Sequence, residues 1–392
     1  MITAAWIILI ISVAAVVHCY VSYPLWWHFV GSRRPMLPQP PVQAESVLPH
    51  VSVIVAGYNE AGCIARRVEN LLQCDYPADR LEIIIASDGS DDGTARLAEQ
   101  AAGGDARVRV LDFTQRRGKV HVLNEVCPQA KGSILVLSDA NVDFAPDTLR
   151  ALVRRFQDDK VACVCGKLIF RPREGEAHTQ SEGFYWKLET WLKQHEGGRG
   201  VLLGANGANF ALRRDLWTGC PPEIVVEDLY IPLRLLMDGW AVVFEPSALA
   251  YEELPPALSD EFGRRVRIGA GDYQILARCL ALLNPARGLE AWVFFSHKVL
   301  RWLAPLFMLG GLLAVLVLIL LGAFGSLVLG GVSLALVLLT AAGFYSHRLP
   351  GPLGRLAAVC AYFASMNAAL FLGFMRWLRG GQKTTWTRTR RA

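Results

Sequence analysis

The sequence predicts an α/β domain with a mainly parallel sheet, set between membrane-spanning helices. Three observations predict it. Short apolar runs alternate with helix-like stretches from His50 onward; such runs are strands buried on both faces, with crossover helices as their cover. Long charge-free apolar stretches lie toward both ends of the chain, each near the ~20 residues a helix needs to cross a bilayer. The apolar fraction of the 392 residues is 53%, high for a domain that meets only water.

The first apolar stretch runs from Thr3 to Val30. A cleaved signal peptide is the alternative, but no charged residue precedes the run and it is too long for the apolar part of such a leader. Tyr20, Tyr23, Trp26 and Trp27 gather near its end as an interfacial belt, and Arg33 and Arg34 follow at once. Positive-inside bias then places the N-terminus outside and everything after Ser32 in the cytoplasm. Pro38, Pro40 and Pro41 make the next stretch a stiff, extended linker.

Val51 to Val55 is the first strand, turning at Gly57 into a helix-like stretch that ends near Cys74. Leu81 to Ala86 is the second, closing on Ser87-Asp88-Gly89, with a helix from Thr94 to about Ala102. Arg107 to Leu111 and Ile134 to Leu137 are further strands, and Cys163 and Cys165 alternate in a strand-like run. Ligands of such sheets bind beyond the carboxyl ends of the strands, where the polar clusters of this chain fall.

After Gly288 the composition changes. Ala291 to Trp302 mixes aromatics with His297, Lys298 and Arg301 and is expected to be an amphipathic segment at the interface. Leu303 to Leu321 and Phe324 to Tyr345 predict a transmembrane hairpin turning near Gly325, and Leu356 to Met375 is a weaker apolar stretch containing Ser365 and Asn367. Arg376, Arg379, Lys383, Arg388, Arg390 and Arg391 follow it. Positive-inside bias draws that tail to the cytoplasm, whereas a spanning third stretch would place it outside, so the sequence leaves open whether this stretch spans, re-enters or lies at the interface. The expected organisation is a spanning helix over 1–31, a linker over 32–49, a catalytic domain over 50–287, an interfacial segment over 288–302, a transmembrane region over 303–378 and a basic tail over 379–392.

A net charge of +5 is too mild to imply a nucleic-acid partner. The nine cysteines are scattered without a C-x-x-C pair, which indicates neither a zinc site nor a disulfide framework, and suits a chain facing a reducing cytoplasm. Gly57-Tyr58-Asn59 after the first strand is no G-x-G-x-x-G turn, which argues against a dinucleotide site.

Carboxylates at strand ends carry the chemistry. Asp88 could accept a hydrogen bond from a base or ribose; equally, Ser90 or Asp92 could simply cap the next helix. Asp139 ends a buried strand with Asn141 two residues on. Alternation would put both oxygens on one face toward a hard cation bridging two phosphates, though Asp and Asn are also common turn starters. Arg116, Arg117 and Lys119 could meet a diphosphate or line a solvated loop. Glu227-Asp228 follows Val225-Val226, and a carboxylate there could act as general base or pair with an arginine. Arg264, Arg265 and Arg267 precede the membrane segment and could hold a diphosphate or lipid headgroups.

In order along the chain these residues resemble family 2 glycosyltransferases, the group of cellulose, chitin, hyaluronan and poly-N-acetylglucosamine synthases and ceramide glucosyltransferase. The resemblance rests on Ala56-Gly57-Tyr58-Asn59-Glu60, Ser87 to Thr94, Arg117-Gly118-Lys119, Ser138-Asp139-Ala140-Asn141, Gly204-Ala205-Asn206-Gly207, Glu227-Asp228 and Arg264-Arg265-Val266-Arg267, and spans roughly Val51 to Gln274. It implies a GT-A fold and an inverting transfer from a nucleotide-sugar donor, with UDP-sugar expected, to a lipid-linked or saccharide acceptor. By the same resemblance Tyr58, Glu60 and Asp88 line the nucleotide pocket, Lys119, Arg264 and Arg267 approach the diphosphate, and Gly204, Asn206 and Glu227 lie on the acceptor side. Asp139 with Asn141 holds a divalent cation, Mg²⁺ or Mn²⁺, and Asp228 is the general base. It further implies an integral protein of a bacterial inner membrane with a cytoplasmic catalytic domain, and export or assembly partner proteins. Two departures stand out. The family's D-x-D is Asp139-Ala140-Asn141, which implies weaker metal binding, and Q-x-x-R-W is Arg264-Arg265-Val266-Arg267-Ile268. The missing tryptophan argues for single-sugar addition in glycolipid or exopolysaccharide assembly over a processive synthase. A catalytically silent nucleotide-binding subunit would be expected to have lost one of Asp88, Asp139 and Asp228, and all three are present.

Overall fold

The computed structural model describes residues 1–42, 44–171, 180–253, 258–345 and 351–380. Helix α1 (Ile2–Val17) continues through a π-helical segment into α2 (Tyr23–Phe29). The chain then alternates β1 (Val51–Gly57), α3 (Ile64–Leu72), β2 (Leu81–Asp88), α4 (Thr94–Ala102), β3 (Val108–Phe113), α5 (Lys119–Val126) and β4 (Ile134–Ser138). Its second half holds β5 (Val142–Phe144), α6 (Thr148–Arg154), β6 (Val161–Arg171), α7 (Gln180–Gly197), β7 (Phe210–Arg213), α8 (Glu227–Met237), β8 (Ala241–Glu253) and α9 (Leu258–Arg278). Helices α10 (Leu289–Val293), α11 (Leu300–Leu320), α12 (Ser326–Gly343) and α13 (Gly351–Leu378) complete the described chain.

The eight strands form one sheet in the order β3-β2-β1-β4-β7-β6-β8-β5. It is parallel across β3, β2, β1 and β4 and between β6 and β8, while β7 and β5 run antiparallel to their neighbours. Alternation divides the core in two. Val51, Val53 and Val55 face α3, α4 and α6, whereas Ile54 and Ala56 face α5 and α8. The second layer also contains Tyr23, Trp27, Phe294 and Trp302, so the sheet and the apolar helices share one core. Each such large side chain contributes about 1.5–3 kcal/mol on burial.

Among the described residues four helices are long and apolar enough to cross a membrane: Ile2–Arg33, Leu289–Leu320, Ser326–Gly343 and Gly351–Leu378. Small residues let them approach closely. A Cβ on Gly373 would fall 2.7 Å from the backbone of Ala270 in α9, and one on Gly343 would fall 2.0 Å from Ala357 O. One expectation is corrected. The stretch 288–302 is the continuous first part of the helix ending at Leu320, not a separate amphipathic segment, and its polar side chains turn inward: His297 and Arg301 are buried. The third C-terminal stretch is one unbroken 28-residue helix without a re-entrant turn. The basic tail, from 381 on, lies outside the described residues.

A buried polar cluster joins these helices to α7. Glu196 accepts hydrogen bonds from Tyr23 Oη at 2.6 Å and faces His297 Nδ1 at 2.6 Å, and Glu189 accepts one from Arg301 at 2.9 Å. Glu189 and Glu196 are seven residues apart and so share a face of α7. Burial alone would push Glu189 up, but His297, Lys298 and Arg301 hold it well below the usual carboxylate range. Lys193, between them in sequence, donates to Asn206 Oδ1. Helix α7 thus links the apolar helices to the loop before β7.

Candidate active site

The site lies at the carboxyl ends of β1, β2 and β4. The loops after β1 and β2 are bonded together: Asn59 exchanges hydrogen bonds with Asp91, Glu60 N donates to Thr94 Oγ1 and Ala61 N to Asp92. Asn59 adopts φ 57°, a left-handed conformation that Asn tolerates. The Arg116 guanidinium lies 3.7 Å over the Tyr58 ring, and Glu60 accepts the Cys63 thiol at 3.3 Å. Asp88 is 4% exposed; its two oxygens accept the backbone N–H groups of Arg117 at 2.8 Å and Gly118 at 2.7 Å. Asp88 therefore holds the turn that starts α5 and presents Lys119. Gly89 makes room for that turn, since a Cβ there would lie 2.6 Å from Arg116 N.

Lys119 is the centre of the cluster. Its ammonium donates to Asp139 Oδ1 at 2.7 Å and pairs with Glu227 Oε1 at 2.8 Å. Burial works against its charge, but the two carboxylates outweigh that and raise its pKa. Asp228 follows Glu227 in the first turn of α8, where the helix N-terminus favours acidic groups. Its Oδ2 accepts Gly207 N–H at 2.8 Å, and no described residue donates to Oδ1. Burial first, then Glu227, push the Asp228 carboxyl up to about 6, with Lys119 and the Gly207 N–H pulling the other way. Arg267 of α9 lies in the field of Glu227, Asp228 and Asp139; burial and Arg264 lower its pKa.

Asp139, Ala140 and Asn141 form the turn between β4 and β5, so strand alternation does not govern them. Asp139 points to Lys119, while Asn141 Nδ2 donates to Glu252 Oε1 of β8 at 2.8 Å. The expected single face for both oxygens is not what the turn produces. Among the described residues no three His, Cys, Asp or Glu side chains gather as a metal cage. The set still fits a cation shared with a diphosphate, which ordinarily takes only one or two protein carboxylates. Asp139, 38% exposed against 9% for Glu227, is the reachable one.

The structure brings Lys119, Asp139, Glu227 and Asp228 together, with Arg267 in their field. Gly204 packs on Leu229, Arg264 is exposed, and Asn206 donates to Gly166 O and accepts from Lys193. Two site residues were not singled out from sequence. Gly207 lies between the carboxylates: a Cβ there would be 3.2 Å from Asp228 Oδ2 and 3.6 Å from Asp139 Oδ2. Arg67 is fully buried under β4, donates to Ser138 Oγ at 2.7 Å and stacks on Phe144 at 4.2 Å, fixing the strand end that carries Asp139. Gly207 sat inside the quoted Gly204 to Gly207 motif; Arg67 gave no signal beyond its place on the apolar face of α3.

A family model described as Glycosyltransferase like family 2 matches residues 49–271. The chain is 31% identical over 241 residues to the beta-monoglucosyldiacylglycerol synthase of Trichormus variabilis, covering 59% of this chain and 51% of that one. It is 24% identical over 258 residues to the poly-beta-1,6-N-acetyl-D-glucosamine synthase of Staphylococcus aureus, covering 65% and 62%. It thus spans about half the length of the first of these relatives. Among solved structures, the mannosyltransferase PcManGT from Pyrobaculum calidifontis, in complex with GDP-Man and Mn²⁺, superposes with a TM-score of 0.71 at 23% identity, covering 95% of this chain and 99% of that one.

Proposed function

The chain belongs to the glycosyltransferase-like family 2 and has a GT-A fold, and from that premise we propose that it moves a sugar from a nucleoside-diphosphate donor to a hydroxyl acceptor at a membrane. The observation that carries the reading is the cluster in which Lys119 bridges Asp139 and Glu227 beside Asp228.

A sugar hydroxyl is a weak nucleophile, so a positioned base must take its proton as it attacks the anomeric carbon; such a base contributes about 10²–10⁴ in rate. Asp228 Oδ1 fills that role, and its raised pKa brings it near the working pH. The departing diphosphate gathers charge, which Lys119 and Arg267 meet; each preorganised donor is worth about 10²–10³ in rate. A divalent cation, when bound, would be held by Asp139 with the diphosphate and would neutralise part of that charge. Attack opposite the leaving group inverts the anomeric carbon. Asp88 and the Tyr58 loop shape the nucleotide side. Ile268 in place of tryptophan and four candidate spans support addition of one sugar, in glycolipid or exopolysaccharide assembly. The basic residues after the first helix support a cytoplasmic catalytic domain.

The test is donor hydrolysis by detergent-purified protein across a panel of nucleotide sugars with Mn²⁺, Mg²⁺ or EDTA. Metal-dependent release from one donor is expected; hydrolysis indifferent to EDTA would contradict the cation assignment.

A further inference from the structure

The loop before β7 grips Asp228 at two points. Ala205 N donates to Asp228 O at 2.9 Å and Gly207 N to Asp228 Oδ2 at 2.8 Å, so this loop sets both the backbone and the carboxylate of the base. Residues 203–206 belong to no helix or strand, and side-chain bonds must therefore fix what no ladder fixes. Asn206, between the two donors, supplies them. Its Nδ2 donates to Gly166 O of β6 at 3.2 Å, and its Oδ1 accepts from Lys193 Nζ of α7. The β6 side is firm: Gly166 N donates to Asn209 O at 2.9 Å, and a Cβ on Gly166 would fall 2.1 Å from Asn209 Nδ2.

The α7 side is held as well. Lys193 lies four residues after Glu189 and three before Glu196, and so shares their face of the helix. Glu196 accepts from Tyr23 Oη at 2.6 Å and meets His297 Nδ1 at 2.6 Å, and Glu189 accepts from Arg301 at 2.9 Å. Lys193 therefore rises from a helix anchored on either side of it. A lysine on a free surface spends its hydrogen bond on ordering its own stem; here the stem is half-buried and its root is fixed. The ammonium is charged and the amide oxygen neutral, a stronger bond than one between two neutral groups.

We propose that Lys193 is a positioning residue for the base: through Asn206 it holds the Ala205 and Gly207 N–H groups against Asp228, and so seats the carboxylate from the membrane-anchored helix α7. The inference rests on the transferase reading above, in which Asp228 takes the proton. It is tested on the full-length, detergent-purified chain with the donor that the hydrolysis panel selects. Lys193→Met keeps the length of the stem and removes the donor group. It is expected to lower kcat about 10- to 100-fold, up to the scale of a 1 Å displacement at a reacting group, while nucleotide affinity by calorimetry and donor KM stay within about two-fold. Asn206→Ala is expected to cost a similar factor. Adding Lys193→Met to Asn206→Ala should cost less than about three-fold more, because the one residue acts through the other. If Lys193→Met does not bind nucleotide, Lys193→Gln, one atom shorter in reach, takes its place in both comparisons. Wild-type kcat in a Lys193 variant that binds nucleotide overturns the inference. So does a further loss of about three-fold or more in the double variant, which would mean that Lys193 meets the substrate directly. In either case a wild-type chain that hydrolyses its donor leaves the transferase reading standing; a wild-type chain that hydrolyses no donor removes that reading and this inference with it.

Discussion

Gly207 offers a perturbation whose size can be worked from distances. A methyl at this position would stand 3.2 Å from Asp228 Oδ2 and 3.6 Å from Asp139 Oδ2. The first contact is tighter than a carboxylate oxygen comfortably makes, so Asp228 must give by a few tenths of an ångström. The Gly207 N–H that bonds Asp228 remains, and Gly207 has no positive φ, so alanine meets no backbone strain. A displacement near 1 Å at a reacting group costs about 10² in rate; a shift of a few tenths, with a methyl in the space between two carboxylates, is expected to cost about ten-fold or more. Gly207→Ala should therefore lower kcat about 10- to 100-fold while changing stability by less than about 1 kcal/mol. Steady-state transfer kinetics with a thermal melt of the detergent-solubilised protein provide the assay. Wild-type kcat in Gly207→Ala would refute the placement of the reacting groups between Asp139 and Asp228.

Three further outcomes are expected. Because Asp228 titrates near 6 and must be ionised to accept a proton, kcat/KM should fall about ten-fold per pH unit below that value; Lys119→Met removes the cation that lowers it and should move this limb to higher pH, as a pH–rate profile would show. Asp139→Ala should abolish the metal dependence of donor affinity, measured by calorimetry with and without Mn²⁺. Glu196→Ala leaves the hydrogen-bonding groups of His297 and Tyr23 without their buried partner and should destabilise by about 1–3 kcal/mol, the range for leaving a buried polar group unsatisfied, read as a lowered melting temperature.

The first half of the sheet was legible because its strands are short apolar runs ended by polar turns: Leu81–Ala86 and Ile134–Leu137 match β2 and β4 to within two residues. In the second half only β6 showed, through the alternation at Cys163 and Cys165. β5 is three residues long, and β8 contains Pro246 and Ser247 at a bulge where the register shifts from Glu245 to Leu249, which hides the strand pattern. Site residues with a charge at a strand end were visible; their mutual geometry was not. Nothing local says that Lys119 bridges Asp139 and Glu227, which are 88 residues apart in sequence. The turn at 139–141 defeated the alternation argument because the strand stops at Ser138. Glu189, Glu196, His297 and Arg301 resemble solvated helix faces in the sequence, and only the packing of three distant helices turns them inward.

The central claim is that Asp228 takes the acceptor's proton. Asp228→Asn keeps the shape and a carbonyl oxygen for the Gly207 N–H while removing the basic oxygen. Transfer and nucleotide affinity should be measured on the same preparation. The account predicts loss of turnover by about 10²–10⁴ with nucleotide affinity within about two-fold of wild type; turnover near the wild-type rate would contradict it.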